Sequence, residues 1–230
     1  MSDFDFWDWE LIPYPTAYEK QKELFEQILK AKSICRQETN NMLVFCEHPH
    51  VITVGKNGKL TNLLYPENSL NEKGVSLFKI DRGGDITYHG PGQLVVYPIF
   101  DLDTFRMGLK SYIHTLEEAI IKLLAIYNIK ADRMEKATGV WIDADNSAKA
   151  RKICAIGVKT SKYVTMHGLA LNINTDLDYF RLINPCGFID KGVTSMQLEL
   201  GKELDINLVK KQLLEIFDSL FKVFHSDFQA

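Results

Sequence analysis

A chain of 230 residues, 46% apolar and 25% charged, is long enough for one domain with a sizeable core and has the composition of an ordinary globular protein. Its formal charge of −3 argues against broad, nonspecific nucleic-acid binding. No apolar run approaches the roughly 20 residues that cross a bilayer. The acidic, aromatic start Met1–Asp8 does not read as a signal peptide, and Cys35, Cys46, Cys154 and Cys186 lack paired spacing; both point to a cytoplasmic protein with reduced thiols.

Tyr14 to Cys35 reads as a helix, because Leu24, Phe25, Ile28 and Leu29 recur at helical spacing among Glu, Lys and Gln. Asn40-Asn41 breaks it before the apolar run Met42–Cys46, a buried strand. Val51–Val54 is a second short strand that ends at Gly55, and Lys56-Asn57-Gly58-Lys59 is a turn. Val75–Ile80 is a strand feeding a loop that starts at Arg82-Gly83-Gly84, and Leu94–Ile99 is the strand after that loop. Residues 109–127 carry Tyr112, Ile113, Leu116, Ile120, Leu123 and Leu124 on one stripe, which predicts a long amphipathic helix.

Gly139–Ile142, Lys152–Val158 and Val164–Ile173 read as three more strands, with a polar connection over 143–151. Asp205 to Phe224 reads as a last helix that turns Leu208, Leu213, Ile216, Phe217 and Leu220 inward. There are no repeats. The fold class is α+β, one domain over residues 1–230 with a mixed β-sheet core and flanking helices; the helices are too few to cross over every strand of a doubly wound sheet.

Two segments carry chemistry. In Arg82-Gly83-Gly84-Asp85-Ile86-Thr87-Tyr88-His89-Gly90-Pro91-Gly92-Gln93 the paired glycines bring backbone N–H groups close to a ligand. Arg82, Thr87, Tyr88 and His89 add polar groups around the same bends, so a binding loop is favoured over a plain hairpin turn. It is not a phosphate P-loop, since the Gly-x-x-x-x-Gly-Lys-Ser/Thr spacing is absent. In Asn184-Pro185-Cys186-Gly187, proline fixes the backbone before the cysteine and glycine frees it after, the setting of a thiol exposed on a tight turn.

A cysteine attacks as thiolate, so it needs a base or cation beside it. His89, His167 and the lysines of 149–162 are candidates. Lys152 stands out because it opens the apolar strand Ile153–Val158, where desolvation would favour its neutral form; against this, most lysines so placed carry their ammonium out to solvent. Cys154 reads as a small buried hydrophobe. Cys46-Glu47-His48-Pro49-His50 puts alternate residues on one face, but Pro49 interrupts that strand and no second ligand cluster follows, so no metal is expected.

With these residues in place the chain resembles the lipoyl(octanoyl) transferase family. The similarity runs through Glu47-His48-Pro49, Thr53-Val54-Gly55, the whole 82–93 segment, Lys152–Gly157, His167–Asn172, Asn184–Gly187 and Thr194-Ser195-Met196, in the family's order over about three quarters of the chain. The resemblance implies the fold of biotin and lipoate protein ligases, and a mechanism without cofactor or ATP. Cys186 would take an octanoyl group from octanoyl-acyl carrier protein as a thioester. A lysine of a lipoyl domain would then receive it, either in a 2-oxoacid dehydrogenase complex or in the glycine cleavage H protein. It makes Lys152 the proton partner of Cys186. It places the acyl chain against Arg82, Gly83, Gly84, Asp85, Ile86, Thr87, Tyr88 and His89, against Ala155, Ile156 and Gly157, and against Gly168, Leu169 and Ala170.

Three other readings compete. An ATP-dependent lipoate or biotin ligase on the same fold needs no nucleophilic cysteine. A cysteine hydrolase would release free octanoate. A non-catalytic partner of lipoylated complexes would be indifferent to Cys186. Lys56, Lys59, Lys149, Arg151 and Lys162 form a candidate docking surface for an acidic carrier protein, set against the plainer reading of scattered solvated charges.

Overall fold

The computed structural model describes residues 3–34, 39–184 and 192–226, with side chains described through Phe221. The strands are β1 (Asp5–Leu11), β2 (Met42–Glu47), β3 (Val51–Val54), β4 (Ser76–Lys79), β5 (Ile86–His89), β6 (Gln93–Ile99), β7 (Asp132–Met134), β8 (Ala137–Ile142), β9 (Arg151–Ser161), β10 (Val164–Asn172) and β11 (Gly192–Val193). The helices are α1 (Tyr14–Ile34), α2 (Glu67–Glu72), α3 (Leu109–Ile126), α4 (Met196–Leu200) and α5 (Ile206–Ser226). An eight-stranded mixed sheet runs β1-β2-β6-β10-β9-β8-β7, with β11 parallel to β9. A second sheet, β4-β3-β5, has three strands. The expected α+β class and mixed sheet with flanking helices are therefore what the chain adopts.

Period-two alternation gives the large sheet two apolar faces. On β6, Leu94 and Val96 point to a core shared with α3 and α5, while Val95, Tyr97 and Ile99 point to a core shared with α1. On β10, Leu169 and Leu171 join the first core and Ala170 and Met166 the second. The small sheet packs its own cluster around Ile52, Ile86 and Tyr88.

The predicted helices and long strands appear within a few residues of their expected bounds. The short elements α2, β7 and α4 were not expected, and three further strands differ in ways that bear on the site. β1 extends the large sheet in parallel with β2, Phe6 packing edge-on against Phe45 at 5.1 Å and Asp8 pairing with Lys210 of α5 at 2.9 Å. The tail of the glycine-rich loop is a strand, because β5 pairs antiparallel with β3 from Val51↔His89 to Val54↔Ile86. β11 pairs Gly192 with Arg151 and Val193 with Lys152, through two residues too short a run to signal a strand.

One irregularity shapes the site. Val140 faces Cys154 but the next residue, Trp141, faces Lys152, so one step on β8 spans two on β9. The bulge puts Ile153 and Cys154, neighbours in sequence, into the same core under α3 and α5. Lys152 is left on the opposite face.

Candidate functional site

A cavity of about 440 Å³ lies between the α1-side face of β9 and β10 and the small sheet. Its floor is built from short residues. Ala155 pairs across the strands with Ala170, and Gly157 with Gly168, so nothing taller than a methyl group rises there. Gly157 is required by close approach: a Cβ on it would sit 2.8 Å from the carbonyl oxygen of Gly83.

The wall opposite comes from the glycine-rich segment. Arg82 is 8% exposed, and its Nη2 donates to the carbonyl and hydroxyl oxygens of Thr53 at 3.1 and 3.0 Å, while Nη1 donates to the Gly83 carbonyl at 2.9 Å. Backbone bonds from Gly55, Lys56 and Asn57 to residues 82–85 knit the loop to the end of β3. Asp85 accepts from Asn62 at 2.7 Å.

His89 Nδ1 donates to Gln93 Oε1 at 2.7 Å, which leaves Nε2 unprotonated and turned toward the Thr53 hydroxyl at 3.5 Å. Burial holds this imidazole neutral, its pKa down at about 3, with nearby His48 adding to the effect. Tyr14 stacks near-parallel on it at 6.2 Å.

Lys152 sits at the β8 side of the cavity, half-buried. Its Nζ donates to the Thr138 carbonyl at 3.2 Å and lies 4.6 Å from the centroid of the Trp141 ring. Of the two sequence alternatives for this strand-end lysine, the partly exposed side chain agrees with the one that leads toward solvent, and its amine rests in a cradle of one carbonyl and one π face. Thr194 N donates to the Lys152 carbonyl at 3.0 Å, which ties the chain after residue 191 to this strand. Asn184 N donates to the Asn62 carbonyl at 2.7 Å on the other side. Cys186 itself lies outside the described residues, as does Cys35.

Of the expected acyl-contact residues, Arg82, Gly84, Asp85, Ile86, Thr87 and His89 border the cavity, as do Ala155, Ile156, Gly157, Gly168, Leu169 and Ala170. Gly83 and Tyr88 do not. Gly83 turns its N–H into a 2.9 Å bond with the Val158 carbonyl. Tyr88 points into the small-sheet core, stacked on Tyr179 at 5.2 Å, with its hydroxyl at 2.7 Å from His50 Nδ1.

His167 also borders the cavity, in mid-strand at φ +65°, with Nε2 3.3 Å from Asp81 Oδ1. Its burial holds the pKa down at about 4. Cys154 is fully buried, as expected, and its burial pushes the thiol well up. His48, from the weighed metal motif, is spent on a donated bond to the Ile12 carbonyl and an accepted one from the Tyr97 hydroxyl, both 2.7 Å. Sequence reasoning missed Tyr14, Thr138 and Trp141 as parts of this site, and none of them carries a local signal.

Comparison with known proteins agrees with this architecture. The lipoyl protein ligase A/B catalytic domain matches residues 13–218. A protein of Parabacteroides distasonis called octanoyltransferase is 57% identical over 221 residues, 96% of this chain and 100% of the relative. A bipartite lipoate protein ligase from Thermoplasma acidophilum superposes with a TM-score of 0.69 at 17% identity, covering 96% of this chain and 85% of that one. The biotin protein ligase of Aquifex aeolicus has a TM-score of 0.51 at 14% identity, with 96% and 71% covered. The two structures share the fold; the sequence relationship carries more, and by it this chain belongs to the lipoyl protein ligase A/B catalytic-domain family, among relatives that are octanoyltransferases.

Proposed function

We propose that this protein is an acyltransferase that moves an octanoyl group from an acyl carrier protein to a lipoyl-domain lysine through a thioester on Cys186. The trough of Ala155, Ala170, Gly157 and Gly168 carries the reading. A linear alkyl chain fits a floor without tall side chains, and each buried CH₂ favours binding by about 0.8 kcal/mol.

Lys152 and Cys186 share one proton in this scheme. The Cys186 thiolate attacks the thioester carbon while Lys152 holds the proton as ammonium. The tetrahedral intermediate collapses, the carbon–sulfur bond to the carrier breaks, and the departing carrier sulfur takes that proton from Lys152. In the second half, Lys152 accepts a proton from the incoming acceptor amine as it attacks octanoyl-Cys186. The amide forms, the Cys186 thiolate leaves, and the resting proton count is restored. Thioester to amide is downhill, so no nucleotide enters.

The docking surface changes shape on the fold. Arg151 is bound by Glu199 through Nε and Nη2 at 2.7 and 2.6 Å and also pairs with Asp143. Lys162 sits in the β9–β10 turn, ten residues from Lys152, roughly 33 Å of strand. Lys56, Lys59 and Lys149 are exposed, and Lys136, 88% exposed, borders the cavity. Lys56, Lys59 and Lys136 are the cations we assign to an acidic carrier. No described helix is long and apolar enough to cross a membrane; the cytoplasm, where thiols stay reduced, is the proposed place of action.

Incubation with octanoyl carrier protein without ATP tests the scheme by intact mass. An octanoyl adduct that maps to Cys186, is absent in Cys186→Ala, and passes to a lipoyl domain is the expected result. A strict ATP requirement supports a ligase instead, and release of free octanoate as the main product supports a hydrolase.

A further inference from the structure

Glu117 is a carboxylate in the wrong place for a solvated charge. It lies on α3, on the face of the large sheet away from the cavity, and is 7% exposed. A buried carboxylate is tolerated only when its oxygens are bonded. Oε2 accepts from Arg133 Nε at 3.2 Å, and Arg133 is itself held to α3 by Glu118 at 2.7 Å and by the His114 carbonyl at 3.0 Å. Oε1 accepts from the backbone N–H of Gly139 at 3.0 Å.

That N–H belongs to the peptide group whose carbonyl is Thr138 O, the acceptor for Lys152 Nζ. A trans peptide is planar, with its N–H and C=O on opposite sides, so fixing one end fixes the direction of the other. Gly139 takes φ +122°, and a Cβ there would stand 2.5 Å from the Cys154 carbonyl and 3.4 Å from Lys152 Cε. Gly139 therefore stands close against the lysine stem, in a conformation open to glycine. A carboxylate drawing on the N–H also polarises the carbonyl toward the ammonium.

We propose that Glu117 is a positioning residue for Lys152, acting across the sheet through the single Thr138–Gly139 peptide group, with Arg133 as its clamp. This rests on the proposed pairing of Lys152 with the Cys186 thiol. Glu117 fixes where the ammonium stands when the thiol loses its proton, and so sets how strongly the thiolate is favoured.

The test is the pH dependence of iodoacetamide alkylation at Cys186, followed by peptide mass spectrometry in the full chain, with thermal melts alongside. Lys152→Ala shifts the alkylation midpoint upward. Glu117→Ala shifts it in the same direction, as does Glu117→Asp, whose carboxylate is too short to reach Gly139 N. Glu117→Gln keeps an acceptor oxygen and stays close to the wild-type midpoint. Should Glu117→Ala fail to fold, the Asp and Gln variants decide: a shift in Asp alone supports the proposal, and equal midpoints overturn it. A lowered melting temperature with an unmoved midpoint marks a merely structural carboxylate and overturns it as well. If Lys152→Ala shifts the midpoint and the Glu117 variants do not, this proposal fails alone; if Lys152→Ala shifts nothing, the lysine–thiol pairing fails and this proposal with it.

Discussion

Arg82 closes its guanidinium on Thr53, one nitrogen bonding both the carbonyl and the hydroxyl of that residue. Thr53 is fully buried in the middle of the small sheet, so the contact anchors the glycine-rich loop to a rigid strand. Thr53→Val keeps the shape and removes one acceptor from a buried cation. A hydrogen bond to a charged group contributes about 1.5–3 kcal/mol, and a stability loss of that size in urea titration is expected. Because the loop walls the cavity, the KM for octanoyl carrier protein rises as well. Arg82→Lys does not substitute, since a lysine cannot span the Thr53 and Gly83 acceptors at once. An unchanged urea midpoint in Thr53→Val would show that the contact anchors nothing.

Three buried imidazoles give the fold an acid-side weakness. Burial lowers His48 to about 4, His89 to about 3 and His167 to about 4, from the usual 6.5. In the unfolded chain each takes up its proton near pH 6.5; in the folded chain it does so only near pH 3–4. Between those values the unfolded state holds more protons, so stability falls as pH falls. Each group contributes on the order of 3–5 kcal/mol that is fully present above pH 6.5 and gone below its folded pKa. The upper part of that window lies above the ordinary carboxylate range, which isolates the histidines. Urea midpoints measured from pH 7.5 down to 5 decline, and His48→Gln flattens the decline. A flat wild-type profile over that span contradicts it.

Much of this architecture was legible because periodicity survives wherever an element has one clear apolar face. Tyr112, Leu116, Ile120 and Leu123 mark α3, and the β6 alternation is readable from Leu94 to Ile99. β5 read as loop because Thr87 and His89 turn polar groups to the cavity, which hides the strand period. The bulge at Ile153 was invisible, since it is a register between β8 and β9 and not a property of either sequence. Lys152 stood out by its strand-end position, yet its cradle did not: Thr138 acts through a backbone carbonyl, and Trp141 is an ordinary core residue until a cation lies over it. Gly83 and Tyr88 sit in the same run as cavity residues but face elsewhere, and residue order alone does not separate them.

Arg151 and the surface lysines separate structure from docking. The two-pronged bond from Arg151 to Glu199 holds α4, and with it the chain after residue 191, against β9 beside Lys152. That bond to Arg151 lowers the Glu199 pKa, so its stabilisation is present above the ordinary glutamate value of 4.5 and lost as pH falls through the folded one. Arg151→Lys keeps the charge and loses the fork, costing about 1–3 kcal/mol in stability while leaving the salt dependence of KM unchanged. Lys56→Glu combined with Lys136→Glu raises KM for the carrier and flattens its salt dependence. Lys162→Glu does neither. Stopped-flow or steady-state transfer across a salt series measures all three, and a Lys162 effect equal to the double variant's would discard the assigned surface.

With the acyl carbonyl placed beside Lys152, as proposed, the trough makes a chain-length prediction. Ala170 faces Ala155 across β10 and β9, and both border the cavity. Ala170→Leu extends an isobutyl group over the floor where an alkyl chain would lie. Space is taken from a cavity, so the fold loses little stability. The octanoyl group loses room for two or three methylenes, about 2 kcal/mol, or roughly a thirty-fold fall in kcat/KM. A hexanoyl donor ends before the obstruction and loses less, so the preference moves toward shorter chains. Competition assays with hexanoyl and octanoyl carrier proteins read the ratio directly. If Ala170→Leu lowers both donors equally, the residue acts on folding and not on the chain; if it lowers neither, the acyl group lies elsewhere.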